Sequence, residues 1–291
     1  MRLLLVGAIA AVLLSLSSNA RIDPAGSSAL LVLVAALLTA SRAWWNQQGR
    51  ERMADACGTV GVVALGGMIG GAIAMLGLTL HFPLADPMLH AWDRALHFDG
   101  IAVVQRLVEL GQWIFWLMAP AYNFTIPLFF GGLLALARLG DRTEAWRAAF
   151  CFVGTLLTTC SIALFVPAKG LGVWLPADLG ARLPDLAMRS FWAHFDQFYS
   201  GADPALQLQV VDGVISFPSF HTVVGFLVLA MWRTRPRALI LASLWLILML
   251  LGTLPGGGHY GVDLIAGFLV WAGWFALSLK IQRDAALPNT L

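Results

Sequence analysis

With 59% hydrophobic and 12% charged residues over 291 positions, and a mean hydropathy of +0.79, the chain departs from a soluble domain, which carries about 45–50% apolar and about 25% charged residues. A formal charge of +2 leaves no basic surface for a phosphodiester backbone, so a nucleic-acid partner is excluded together with an ordinary soluble globular protein and a disordered chain. The length permits about eight spans of ~20 residues with their loops. Helices satisfy their own backbone in lipid, so the expected class is an all-α, polytopic membrane protein.

Apolar runs predict spans near 3–20, 27–45, 58–82, 113–137, 148–168, 218–232, 238–254 and 260–279. The first has a short apolar core behind Arg2 and ends in Ser15-Leu16-Ser17-Ser18-Asn19-Ala20, a pattern that also fits a cleaved signal peptide. Residues 1–45 therefore supply one or two N-terminal spans, and residues 58–279 the core. Two polar segments interrupt that core, 83–112 and 169–217. In the first, Leu89, Trp92, Leu96 and Phe98 alternate with Asp86, Asp93, Arg94 and Asp99, which suits an amphipathic helix lying in the interface and equally a plain extramembrane helix–loop. Cys57, Cys151 and Cys160 all sit in apolar stretches and form neither a disulfide framework nor a paired metal-ligand spacing.

The charges orient the spans. Arg2, the arginines at 42, 50 and 52, at 138, 142 and 147, and at 233, 235 and 237, with Lys280 and Arg283, put 12 of the 18 basic residues on one side. The positive-inside rule makes that side cytoplasmic. All six histidines then fall on the other side, as do both polar segments. The expected location is the plasma (inner) membrane, multi-pass, with the active site on the non-cytoplasmic face.

Two short segments there carry the chemistry. Ser216-Phe217-Pro218-Ser219-Phe220-His221-Thr222 opens the sixth span. Proline is favoured in a first helical turn, Ser216 could cap that turn, and a helix N-terminus beside Ser219 and His221 is a ready anion site. Gly256-Gly257-Gly258-His259-Tyr260-Gly261-Val262-Asp263 opens the eighth. His259 and Asp263 are four apart and would share a helix face; the carboxylate can fix the tautomer and leave the other ring nitrogen as nucleophile or base. The glycines admit a close approach of backbone or substrate. The 38-residue separation of His221 and His259 accommodates two spans of ~18 residues, which returns both imidazoles to one face. Either motif alone is a weak signal. Together, in this order and spacing, they suit in-line phosphoryl transfer: one histidine attacks phosphorus and the other protonates the leaving oxygen. Metal binding by His221, His259 and Asp263 is the lesser reading, since no further ligand has helical spacing to complete the set.

At these residues the chain resembles the type 2 phosphatidic acid phosphatase superfamily, which shares a helical core with the vanadium haloperoxidases. Its second motif, Pro-Ser-x-x-His, is matched by Pro218, Ser219 and His221; its third ends in His-x-x-x-Asp, matched by His259 and Asp263. The resemblance implies His259 as the nucleophile of a phosphohistidine, Asp263 as its orienting carboxylate, His221 as general acid and Ser219 on the phosphate, with no metal or other cofactor. It also implies a phosphorylated lipid as substrate and an alcohol acceptor if the group is transferred rather than hydrolysed. Two arginines of the family pattern are replaced: Lys169 stands where the first motif begins, but Pro176 stands seven residues on, and Thr253 lies six before His259. In these details the chain looks more like the branch containing fungal inositol phosphorylceramide synthases. Lys169 is the candidate substitute cation on the phosphate, or else a lysine snorkelling at a span end. The expected function is thus a lipid phosphatase or head-group phosphotransferase; the alternative is a non-catalytic lipid-phosphate binding or transport protein.

Overall fold

Each apolar run is helical in the computed structural model, which describes residues 1–18, 20–22, 27–184, 188–201, 205–206 and 214–286. In chain order the helices are α1 (Arg2–Ser17), α2 (Ser27–Gln47), α3 (Glu51–Leu78), α4 (Asp86–Ala95), α5 (Gly100–Glu109), α6 (Trp113–Asn123), α7 (Thr125–Leu139), α8 (Arg142–Phe165), α9 (Ala177–Gly180), α10 (Trp192–Tyr199), α11 (Phe220–Met231), α12 (Pro236–Gly257) and α13 (Gly261–Ala286). A short 3-10 turn covers Leu171–Trp174. The one extended pairing among the described residues is parallel and two residues long, Arg21–Ile22 with Ala205–Leu206. The architecture is all-α, as expected.

Span lengths differ from the sequence expectation. Among the described residues α3, α8, α12 and α13 are long and apolar enough to cross a bilayer. The fourth predicted span is bent by 51° between α6 and α7. Its cause is local: Pro127 removes an N–H and its ring crowds the carbonyl four residues back, so the helix breaks near Phe124. The sixth predicted span is only the 12 residues of α11, about 18 Å at 1.5 Å per residue, against a hydrocarbon core of about 30 Å. Residues 214–219 ahead of it are not helical.

Lipid supplies little hydrophobic force between helices, so close packing at small residues takes its place. Gly66 and Gly70 of α3 do this work. A Cβ on Gly66 would lie 2.8 Å from Val153, and one on Gly70 2.6 Å from Leu156, both on α8. Gly7 of α1 meets Leu157 and Ile69 in the same way, so α1 is wedged against α3 and α8. The main core joins Phe129, Leu133 and Leu136 of α7 to Phe152 of α8 and Val223, Val224 and Leu227 of α11. A second core, with Leu89, Val104, Met118, Leu171, Leu254 and Tyr260, lies under the histidine-bearing end.

The two ends of the bundle differ in charge. At one end the turns after α7 and α11 are tied by Arg233 to Glu144 (2.7 Å), Arg235 to Asp141 (3.0 Å), and Arg142 to Asp55 (3.5 Å); Arg147 contacts Glu144 and Gln282. The other end carries α4, α5, α9 and α10 and the openings of α11 and α13.

Candidate active site

The site forms where the start of α11 meets the turn between α12 and α13. Gly258 ends α12 at φ +66°, left-handed backbone that glycine adopts without strain. His259 therefore lies outside both helices, and α13 begins at Gly261. The expected pairing along one helix face is realised differently: Asp263, in the first turn of α13, turns back onto the residues that precede the helix. Its Oδ2 accepts from the Tyr260 N–H (2.9 Å) and from the Ser216 hydroxyl (2.9 Å), and lies 3.2 Å from His259 Nδ1.

His259 Nδ1 also lies 3.0 Å from the Ser216 carbonyl oxygen. Both neighbours of Nδ1 are acceptors, so that nitrogen carries the proton and Nε2 keeps its lone pair. Nε2 faces the Ser219 hydroxyl at 3.4 Å. Ser219, not Ser216, caps α11, accepting from the Thr222 N–H at 3.3 Å. Pro218 precedes that cap, in a cis peptide with Phe217, rather than opening the helix. The first N–H groups of α11 have no intrahelical acceptor, and they start beside Ser219. The two motifs are joined directly: the Ser219 N–H donates to the Asp263 carbonyl at 3.0 Å. The carbonyl of Ser219 would lie 2.4 Å from a Cβ on Gly267, so glycine is what lets α13 approach.

His221 sits across the site with its ring centroid 6.4 Å from that of His259, at 61°. Its other face stacks on Tyr122 of α6, centroids 4.1 Å apart. Ser219 and Asp263 are fully buried and His259 is 3% exposed, whereas His221 is partly exposed. Of these four side chains His221 is the most exposed.

Lys169 does not join this group. Its ammonium is 2.5 Å from Asp196 Oδ1 and lies over Trp192 and Phe195. The replaced arginine positions supply no cation either: Pro176 precedes α9, and buried Thr253 donates to the Leu250 carbonyl. The glycines at 257 and 258 serve approach by the protein's own groups: Cβ atoms there would lie 2.5 Å from the Tyr122 hydroxyl and 3.0 Å from the Met188 carbonyl oxygen.

Several supporting residues escape the sequence reading. Asp86 and Asp93 lie on the buried face of α4, not on a solvated one. Asp86 accepts from the Lys169 and Gly170 N–H groups (3.0 and 2.8 Å) and from the Tyr260 hydroxyl (3.0 Å), which in turn accepts from Trp174 Nε1 (2.8 Å). Asp93 accepts from the N–H groups of Gly261 and Val262 at 2.9 and 2.8 Å and so caps α13. Burial pushes the Asp93 carboxyl above its usual range, against those two N–H groups and the charge of His90, which favour ionisation. These pairings span 83 to 174 residues of chain, so no local spacing announces them; Tyr122, in an apolar run, gives no signal at all. Among the described residues no three His, Cys, Asp or Glu side chains converge as a metal site requires.

A match to the PAP2 superfamily spans residues 87–277, more than half of the chain, and contains both histidine motifs. The chain belongs to the PAP2 superfamily. No curated protein and no solved structure matches it. The PAP2 match starts after α3, so α1, α2 and α3 lie outside it. Membership makes the chain an integral, multi-pass membrane enzyme of phosphatase or phosphotransferase type, acting on lipid phosphate.

Proposed function

We propose that the chain removes or transfers the phosphoryl group of a phosphorylated lipid through a phosphohistidine on His259. The observation that carries this reading is the environment of the His259 ring: two acceptors on Nδ1, which leave the lone pair on Nε2, with the Ser219 hydroxyl 3.4 Å from it. In the first step Nε2 attacks phosphorus, the phosphorus–oxygen bond to the lipid breaks, and His221 donates a proton to the departing oxygen. Asp263 stabilises the imidazolium that forms. In the second step water or an alcohol attacks the phosphohistidine, the nitrogen–phosphorus bond breaks, and His221 takes up the proton. The Ser219 hydroxyl and the opening N–H groups of α11 hold the phosphate oxygens.

The near-complete burial of His259, Asp263 and Ser219 favours transfer over hydrolysis. Outer-face water is at about 55 M, so a transferase must exclude it or hold its acceptor at high effective concentration. That agrees with the resemblance of the motifs to the inositol phosphorylceramide synthase branch. The 12-to-6 basic asymmetry supports placing the site on the non-cytoplasmic face of the plasma (inner) membrane. The test is an assay of purified protein against a panel of lipid phosphates, with and without inositol, a sugar or a lipid alcohol. Transfer predicts little free phosphate alone and a new phosphorylated product with the acceptor. Phosphate release at the same rate with or without acceptor would leave only the phosphatase reading. A folded protein that binds these lipids and turns over none would replace it with the binding or transport reading.

A further inference from the structure

The arginine-rich end of the bundle holds a second feature, at the opposite end from His259. Between α1, α2, α3 and α8 lies a cavity of about 440 Å³ whose walls are mostly apolar, among them Leu4, Val62, Phe150 and Val153, with Arg42 and Asn46 at its polar side. A neighbouring hollow of about 460 Å³ shares Arg42, Trp146 and Phe150 and adds Arg142 and Ile281. Arg42 joins the two. Its guanidinium lies 4.3 Å over the Trp146 ring, and its Nε–H is buried with no hydrogen-bond acceptor. Arg142 is half exposed and only 3.5 Å from Asp55, whose Oδ1 is already shared with Trp146 Nε1 at 2.7 Å. Arg147, also on the rim of the second hollow, is engaged by Glu144 and Gln282.

Arg142 meets a carboxylate that also accepts from Trp146, and the Arg42 Nε–H has no acceptor, which leaves positive charge above an apolar trough. A buried guanidinium N–H without an acceptor has an unmet demand that a phosphate oxygen satisfies, and the planar fork suits phosphate better than a point charge. Basic pockets between helices at a headgroup level bind anionic lipids in this way. We propose that this is a binding site for an anionic phospholipid of the surrounding leaflet, with its phosphate on Arg42 and Arg142 and an acyl chain along Val62, Phe150 and Val153. The occupant is a lipid and not a free anion because most of the wall is hydrocarbon; it is not the substrate, because the catalytic histidines are at the other end.

The test is native mass spectrometry of the full-length protein released from mixed micelles of phosphatidylglycerol and phosphatidylcholine. The protein should retain phosphatidylglycerol preferentially. Arg42→Gln and Arg142→Gln should each weaken retention about fivefold, the equivalent of about 1 kcal/mol per removed charge. Arg142 is half exposed, so Arg142→Gln keeps the fold and decides the matter if Arg42→Gln fails to insert. Excess inorganic phosphate should not displace the lipid. Equal retention of the two lipids, undiminished retention in Arg142→Gln, or displacement by inorganic phosphate would each overturn the proposal.

Discussion

At the scale of single residues, the site is a chain of oriented hydrogen bonds that ends at the His259 Nε2 lone pair beside the Ser219 hydroxyl. Asp263 controls it, because Ser216, Tyr260 and His259 all converge on the same carboxylate oxygen. Asp263→Asn should preserve the fold and lower kcat at least ~10²-fold, by analogy with other carboxylate–histidine pairs in which the amide favours the wrong tautomer. Ser216→Ala removes one of the three bonds that hold the carboxylate and leaves the Ser216 carbonyl on Nδ1, so its loss should be about 10-fold, in the range of outer-shell partners. Steady-state kinetics on the two purified variants would check the order; an equal loss in both would mean that Asp263 acts through Ser216 and not through the ring. The proposed phosphohistidine chemistry needs no metal. Chelation should leave activity unchanged and vanadate should inhibit, as a mimic of five-coordinate phosphorus. Loss of activity in EDTA that zinc or manganese restores would favour the metal reading of the same side chains.

At the scale of elements, the geometry of the candidate site depends on how α11 and α13 meet. The Ser219 carbonyl faces Gly267 so closely that a methyl group would lie 2.4 Å from it. Backbone cannot yield there as a side-chain tip can, so Gly267→Ala should push the start of α11 away and cut activity by at least ~10-fold, since a misplacement of about 1 Å at a reacting centre costs up to ~10². Gly273 has open space around it, so Gly273→Ala on the same helix should be nearly silent. Parallel activity and thermal-melt measurements would separate the two; equal effects would refute the contact argument. Asp93 acts on the same element from outside. Replacing it with alanine removes the cap on Gly261 and Val262 and should cost about 1 kcal/mol, within the usual range for caps. The sequence revealed α11 and α13 through their motifs, and it placed the polar segment 83–112 at the same end as the histidines, where Asp86 and Asp93 meet residues 260–262. It could not reveal that Asp86 and Asp93 face inward. Their partners are backbone N–H groups distant in sequence, and an aspartate flanked by apolar residues reads as the wet side of an amphipathic helix. The cap on α11 was misplaced for a related reason: the Pro218 signal fits a first helical turn, but the chain enters helix only after Ser219.

For the whole molecule, the alternation of basic residues was legible because it is summed over many loops; in the structure Arg233 and Arg235, after α11, meet Glu144 and Asp141, after α7, at one end of the bundle. The eight-span count was less secure. Hydropathy registers apolar length but not the bend at Phe124 or the shortness of α11, both of which arise from proline placement and from the segment that carries Ser216 and Ser219. Lys169 illustrates the same limit: its position in the motif order pointed to the phosphate, but an acidic neighbour, Asp196, reaches it first. Orientation is testable by single cysteines in a background lacking Cys57, Cys151 and Cys160. A cysteine at Ala181 should react with an impermeant thiol reagent in intact cells and one at Thr234 should not; the reverse pattern would move the catalytic end to the cytoplasm.

The central claim is that His259 Nε2 becomes covalently bound to phosphorus. The direct measurement is to mix purified protein with a lipid carrying a radiolabelled phosphate, quench within the first turnover, and follow the label on the protein. The account predicts a phosphoenzyme that is labile to acid and stable to alkali, absent from inserted His259→Ala protein, and both formed and released more slowly in His221→Ala. His259→Ala protein that is folded, inserted and still turns the lipid over at the normal rate would contradict it.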